Sequence, residues 1–297
     1  MSVLLTLIRR NIKLFFKDKG MFFTSLITPC ILLVLYSTFL GNVYHDSFTA
    51  GIPKGISVDE GLIDSLVAGQ LVSSIFSVSC VTVAFCSNFL MVQDRANGTV
   101  KDLRISPVRS ATLSLSYYIA SLISTFLICF TAAVFCLGYM YVVGWYMSVT
   151  DVLCMMLDIF LLVLFGTALS SVINFFLSTQ GQISAVSAIV SAGYGFICGA
   201  YMPVSSFSEG LRKAVSFLPG TYGTSLLRNH ALRGVFEEMD AEGLPAELID
   251  GMKEMVDCNV FFFERQVEIS VMYLILGGVS VLLIAVYIVM NALKKNS

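Results

Sequence analysis

The chain alternates long runs without a single charge with short, strongly charged ones. Gly20 to Tyr44 and Ser65 to Gln93 contain no Asp, Glu, Lys or Arg. About 20 apolar residues in a helix cross about 30 Å of hydrocarbon, so each run predicts one span, the second long enough to tilt or protrude. Ser110 to Thr150 is charge-free too, but it is punctuated by Gly138 and by Gly144-Trp145-Tyr146. It predicts a span ending near Gly138 or Met140, followed by a short interfacial turn with an aromatic anchor. The polar cluster Ser178-Thr179-Gln180-Gly181-Gln182 divides the next apolar stretch in two. Ile269 to Leu293 is the last run, stopped by Lys294-Lys295. The pattern predicts an all-α integral membrane protein with six transmembrane helices at 20–44, 65–93, 110–138, 152–177, 183–201 and 269–293. These form one domain over 20–293, with an external loop at 202–268 and a short tail at 294–297.

Residues 1–19 follow a different period. On a helical wheel Arg9, Arg10, Lys13 and Lys17 share an arc of about 100°, opposite Leu4, Leu5, Ile8, Ile12, Phe15 and Phe16. This predicts an amphipathic helix lying in the membrane interface with its cations toward phosphates. Two other readings stay open, a cytosolic extension and a helix that contacts a partner. No small-residue cleavage site marks it as a signal peptide.

Composition agrees with the pattern. Hydrophobic residues make up 57% and charged residues 13% of the 297, too few charges to cover a soluble domain. Mean hydropathy is +0.84. A net charge of −2 gives no reason to expect nucleic acid as a partner. Seven of the eight cysteines lie in apolar stretches and read as small hydrophobes. Cys258 alone sits in a polar segment, and no Cys/His metal spacing occurs.

Charge segregation sets the orientation. With both termini inside, the cytosolic pieces carry 11 of the 18 basic residues, and Asp18, Asp94 and Asp102 are their acids. Glu237 to Glu268, outside, holds ten acids against Lys253 and Arg265. The positive-inside rule therefore places both termini in the cytosol. The amphipathic pattern of Glu237–Val256, opened by Pro245, predicts a helix that either caps the outer face or captures substrate.

Motifs for catalysis are missing. The sequence has no G-x-x-x-x-G-K-[ST] phosphate loop, no Gly-x-Ser-x-Gly elbow and no His-Glu-x-x-His, and only two histidines. The expectation is a chain that is not an enzyme. Its informative loop is Asp94-Arg95-Ala96-Asn97-Gly98-Thr99-Val100-Lys101-Asp102-Leu103-Arg104-Ile105-Ser106-Pro107. Gly98-Thr99 can end one helix and start another, with Thr99 as N-cap and Pro107 as stop. That predicts a brief cytosolic helix displaying Lys101 and Leu103.

This loop resembles the first cytosolic loop of permease subunits of type-2 ATP-binding-cassette (ABC) exporters. That loop typically reads Glu-Arg-Glu-x-Gly-Thr-Leu-Glu-x-Leu-x-x-Thr/Ser-Pro and forms the coupling helix that docks on a separate ATPase. Asp94, Arg95, Gly98, Thr99, Leu103, Ser106 and Pro107 match, with Val100 for its Leu. Ala96 and Lys101 replace its glutamates, Lys101 with reversed charge. A second stretch, Gly199-Ala200-Tyr201-Met202-Pro203 followed by Leu218-Pro219-Gly220-Thr221-Tyr222 and Arg228, is similar to the family's re-entrant hairpin before the last span. The charge-free run 214–227 is too short to cross a bilayer, which suits a hairpin dipping in from outside. The first helix is similar to the family's connecting helix.

The resemblance implies an export permease paired with a second permease, identical or paralogous, above two ABC ATPase subunits; the lack of a signal-peptide pattern and of disulfide or glycan frameworks fits a bacterial plasma membrane. ATP and Mg are expected on those partners, with no cofactor in this chain. Substrate is expected to be amphipathic: a drug, a peptide antibiotic or a lipid-linked glycan. Asp158, about two turns into the fourth span, reads either as a substrate contact or as a hydrogen-bonded aspartate near the outer mouth. Asn174, with Ser170 and Ser171, reads as helix–helix glue or as part of the path. Arg228 reads as an interface anchor or an anion contact. A self-sufficient secondary transporter using Asp158 is the alternative function.

Overall fold

The computed structural model describes residues 3–53, 56–105, 108–263 and 265–293. Helix α1 (Val3–Lys17) is followed by α2 (Lys19–Leu35), whose first turn is capped by the Asp18 carboxylate accepting from the Met21 amide at 3.1 Å. Through a π-helical turn at Tyr36–Leu40, α2 runs on into α3 (Gly41–Gly51). Then come α4 (Glu60–Ser87), α5 (Phe89–Ala96), α6 (Thr99–Ile105), α7 (Ser110–Val143) and α8 (Val149–Phe175). After α9 (Gln180–Ile197) the chain forms the short α10 (Glu209–Val215), the 23-residue α11 (Pro219–Ala241) and the short α12 (Ala246–Met255). A two-stranded hairpin, β1 (Phe261–Phe262) and β2 (Arg265–Gln266), leads into α13 (Ile269–Leu293).

Among the described residues, five stretches are long and apolar enough to cross a membrane: 19–51, 60–96, 110–143, 149–175 and 269–293. The last matches the predicted span residue for residue. The first three extend beyond the predicted bounds because helix continues where the chain leaves the apolar zone, and Gly138 does not interrupt α7; the fourth is shifted, starting at Val149 and ending at Phe175, short of the predicted 177. The predicted fifth span is α9, 18 residues long. Its Gln180, Gln182 and three serines keep it outside the apolar five.

The helix formed by α4 and α5 is the pillar of the bundle. Serines, glycine, alanine and cysteine alternate with Val, Ile and Leu along α4, so α2, α7, α8, α9 and α11 can approach it from all sides. The tightest approaches are made by glycines. A Cβ on Gly166 of α8 would lie 2.9 Å from the Val81 Cα, and one on Gly234 of α11 would lie 1.9 Å from the Tyr146 carbonyl oxygen. Both obstacles are backbone, which cannot swing aside. Gly234→Ala is therefore expected to cost about 3 kcal/mol or more, read as a lowered melting temperature in detergent; an unchanged melt would contradict the packing of α11 on the α7–α8 turn.

Two cores result. One binds α1, α4, α5, α7, α8 and α13 together. The second joins the end of α2, α3, the upper part of α4, α11 and α12. The predicted amphipathic helix at 237–256 is thus the end of α11 plus α12, with Pro245 at the N-cap of α12 and Ile249 and Met252 buried. It covers the end of the bundle remote from α6.

Candidate functional site

The short helix predicted in the first loop is present as α6. Gly98 has φ +81°, a conformation costly for any residue with a Cβ, and its carbonyl accepts from the amides of Lys101 at 2.8 Å and Asp102 at 3.3 Å. Gly98 rather than Thr99 therefore occupies the cap position, and Thr99 begins the helix. Val100 and Leu103 turn inward and pack against the main core. Lys101 and Asp102 are exposed, and Ile105 is 85% exposed. The apolar residue displayed is thus Ile105, not Leu103. A three-to-four-residue helical period puts Val100 and Leu103 on one face and Ile105 on another, a phase the sequence alone did not orient. Ser106 and Pro107, like the tail at 294–297, lie outside the described residues.

Two side chains that the sequence assigned to the coupling loop fasten it to the bundle instead. Asp94 accepts from Arg10 at 2.6 Å and from the Tyr117 hydroxyl at 2.5 Å, joining α5 to α1 and α7. Arg10 thereby leaves the cationic face and points into the protein, because the buried Asp94 carboxylate draws it there. Leu7, Ile8, Asn11 and Phe15 are the buried residues of α1, and Asn11 reaches Ser116 of α7. Arg9, Lys13 and Lys17 remain exposed, as do Leu5 and Phe16. The helix therefore has a protein face, an apolar face and a cationic face. Arg10→Met is expected to weaken the docking of α1 by about 1 kcal/mol, since the guanidinium is partly solvent-screened. Faster proteolysis between α1 and α2 checks this; unchanged cleavage would contradict it.

Arg95 closes the far end of α8. One guanidinium nitrogen donates to the carbonyl oxygens of Phe175 at 2.8 Å and Leu177 at 2.7 Å, and the guanidinium carbon lies 5.9 Å from the centroid of the Phe175 ring. A cation on the last carbonyls is favoured by the helix dipole. Above it, Asn88, at the break between α4 and α5, donates to Ser170 at 2.9 Å and Ser171 at 2.7 Å and accepts from Ser121 at 3.3 Å. The amide that glues α4, α7 and α8 is therefore Asn88. The signal was an asparagine in a charge-free span. Asn174 is fully buried, and its amide has no hydrogen-bond partner among the described residues.

At the other end, a tight turn over 216–218 joins α10 to α11. Pro219 starts α11 at its first turn, where the missing N–H is harmless. Thr221 donates to the Val215 carbonyl at 3.1 Å and Tyr222 to that of Ser216 at 2.5 Å, fixing the turn that leaves Leu218 exposed. Gly223 lies against Leu162, the middle residue of α8, and Gly220 against Tyr194. From that depth α11 rises to Gly234 beside Tyr146. Pro203 precedes a single 3-10 turn at Val204–Ser206.

Arg228 is buried and donates to Asp257 at 3.0 Å and to the Gly199 carbonyl at 2.6 Å. Asp257 in turn accepts from the amides of Val204 at 2.6 Å and Ser205 at 3.1 Å, and it sits at φ +50°, which aspartate tolerates better than most residues. The pair locks the exit of α9 to α11. Asp158, 0% exposed, also meets α11: it bonds His230 Nδ1 at 2.6 Å and accepts from the Tyr273 hydroxyl of α13 at 2.7 Å. Arg233 adds an ion pair to Asp151 at 2.7 Å. Neither partner of Asp158 nor Asp257 was foreseen. Burial pushes the Cys258 thiol up to about 12, so this cysteine stays an inert thiol.

The ABC-2 type transporter family model matches residues 2–231, from α1 into α11. No curated protein matches the chain.

Proposed function

The chain belongs to the ABC-2 type transporter family, and on that premise we propose how it couples and gates. It is a multi-pass membrane protein, the permease of an ABC exporter rather than its ATPase, and an ABC ATPase is its partner. The proposal is that α6 inserts Ile105, with Lys101 and Asp102 beside it, into that ATPase. The observation that carries this reading is a fully presented isoleucine on a short helix whose other apolar side chains are anchored inward. Apolar anchors ringed by polar residues are what interfaces place at their centres.

The movement of α6 has a rigid route to the other end. Arg95 holds the inner end of α8, and His230 and Arg233 hold α11 to Asp158 and Asp151 near its outer end. Two ATPases, carrying ATP and Mg, would drive two permeases, identical or paralogous. The α10–α11 hairpins, with Pro203, Leu218, Pro219, Thr221, Tyr222 and Arg228, would form the outer gate. Cytosolic termini, a bacterial plasma membrane and an amphipathic substrate complete the reading. A proton- or ion-driven carrier using Asp158 is disfavoured, because both of its carboxylate oxygens are already bonded.

Removing an interface anchor typically costs about 2 kcal/mol or more. Ile105→Asp is therefore expected to release the ATPase from the detergent-solubilised complex and to abolish substrate-stimulated hydrolysis, with the permease itself unaltered in melting. Wild-type retention of the ATPase by Ile105→Asp would sink the assignment.

A further inference from the structure

The β1–β2 hairpin carries three consecutive phenylalanines, Phe261, Phe262 and Phe263. Its register pairs Phe261 with Gln266 and Phe262 with Arg265. Phe263 then stands in the turn at φ +56°, a region that bulky side chains avoid. A two-residue turn of this kind normally recruits asparagine or glycine. Here a phenyl ring stands at the tip despite that cost, 54% exposed. Phe263 packs on Phe262 with centroids 4.9 Å apart, and both meet Phe217 at 6.0 and 5.2 Å. Phe217 itself is 63% exposed and belongs to the α10–α11 turn. So much apolar surface is not left facing water without a reason.

Cations surround these rings. Arg212 and Lys213 of α10 and Arg265 of β2 line a cleft of about 640 Å³ together with Phe261, Phe262 and Phe263. Glu209 is held below the usual carboxylate range by Lys213, which it meets at 2.6 Å. Arg212 and Arg265 have no carboxylate within 4.0 Å among the described residues. Rings beside guanidinium groups suit a surface that is apolar on one side and anionic on the other. The hairpin also leads directly into Ile269, where the lipid-length helix α13 begins.

We propose that this face is a phospholipid site at the membrane surface remote from α6. Phe217, Phe262 and Phe263 enter the layer where acyl chains meet headgroups, and Arg212 and Arg265 hold the phosphate of an anionic lipid. Its consequence is mechanical: the α10–α11 turn is moored to the bilayer, so the hairpin moves against a fixed surface. The inference rests on the membrane character of the chain and not on the coupling assignment, so the two can fail separately.

Trp145 is the sole tryptophan of the chain, which makes the test direct. Trp145→Phe combined with Phe263→Trp places one reporter at the hairpin tip of the full chain, reconstituted in phosphatidylcholine–phosphatidylglycerol vesicles. Lipids brominated in the upper acyl chain are expected to quench it, and aqueous iodide to leave it bright. Quenching is expected to be severalfold stronger when the bromine is on phosphatidylglycerol than on phosphatidylcholine, and Arg212→Gln with Arg265→Gln to remove that preference. Quenching by iodide but not by bromolipid would overturn the proposal, as would quenching by neither, which means cover by a second protein surface. Equal quenching from both lipids would overturn the anionic assignment. Should Phe263→Trp fail to insert, Phe217→Trp reports on the same face with the same outcomes.

Discussion

Replacing Asp257 with alanine is expected to destabilise the protein by about 3–5 kcal/mol, the usual cost of removing one partner from a buried ion pair. Arg228 would keep its Gly199 carbonyl but lose the charge that neutralises it, and the Val204 and Ser205 amides would lose their shared acceptor. Three groups from two segments depend on one carboxylate. Melting in detergent should fall by on the order of 10 °C. Asp257→Asn, which keeps one acceptor oxygen, should fall less. The double change Arg228→Met, Asp257→Ala should recover part of the loss, because a buried charge without a partner is worse than none. A melt within error of wild type for Asp257→Ala would contradict the lock between α9 and α11.

Asp158→Leu is expected to be nearly as damaging. It leaves the His230 ring and the Tyr273 hydroxyl facing a leucine, and each stranded polar group costs about 1–3 kcal/mol. Asp158→Asn preserves shape and one acceptor, so stability and transport should both remain near wild type. The contrast separates the two readings of this residue. If Asp158→Asn melts normally and yet transports nothing, the carboxylate acts on substrate. Should both properties survive, it is a brace between α8, α11 and α13.

The membrane helices were legible because their periods and charge gaps are enforced by hydrocarbon, which tolerates few alternatives. The last span was read to its residue limits. Helix ends were not, since α7 meets no physical barrier at Gly138 and continues to Val143. α6 was legible as an element from Gly98, but its facing was not: nothing local says whether Val100 and Leu103 or Ile105 meets the bundle. Long-range pairings were the least accessible part. Asp94 with Arg10, Asp158 with His230 and Arg228 with Asp257 are 84, 72 and 29 residues apart. In a chain so poor in charge, each charge near or inside a span must find a partner. That rule predicts pairing without naming the partner. The Phe261–Phe263 run was visible in the sequence, and only its turn geometry and its contact with Phe217 give it a meaning.

The central claim is that Ile105 is the residue through which this permease meets its ATPase. The most direct measurement places a photo-reactive benzoylphenylalanine at position 105 in the chain within its native membrane and identifies the crosslinked product by mass. A crosslink to an ABC ATPase subunit, lost when the ATPase is absent, is the predicted result. A probe at 105 that reaches only lipid or the permease itself, while the ATPase remains bound to the complex, would contradict the account.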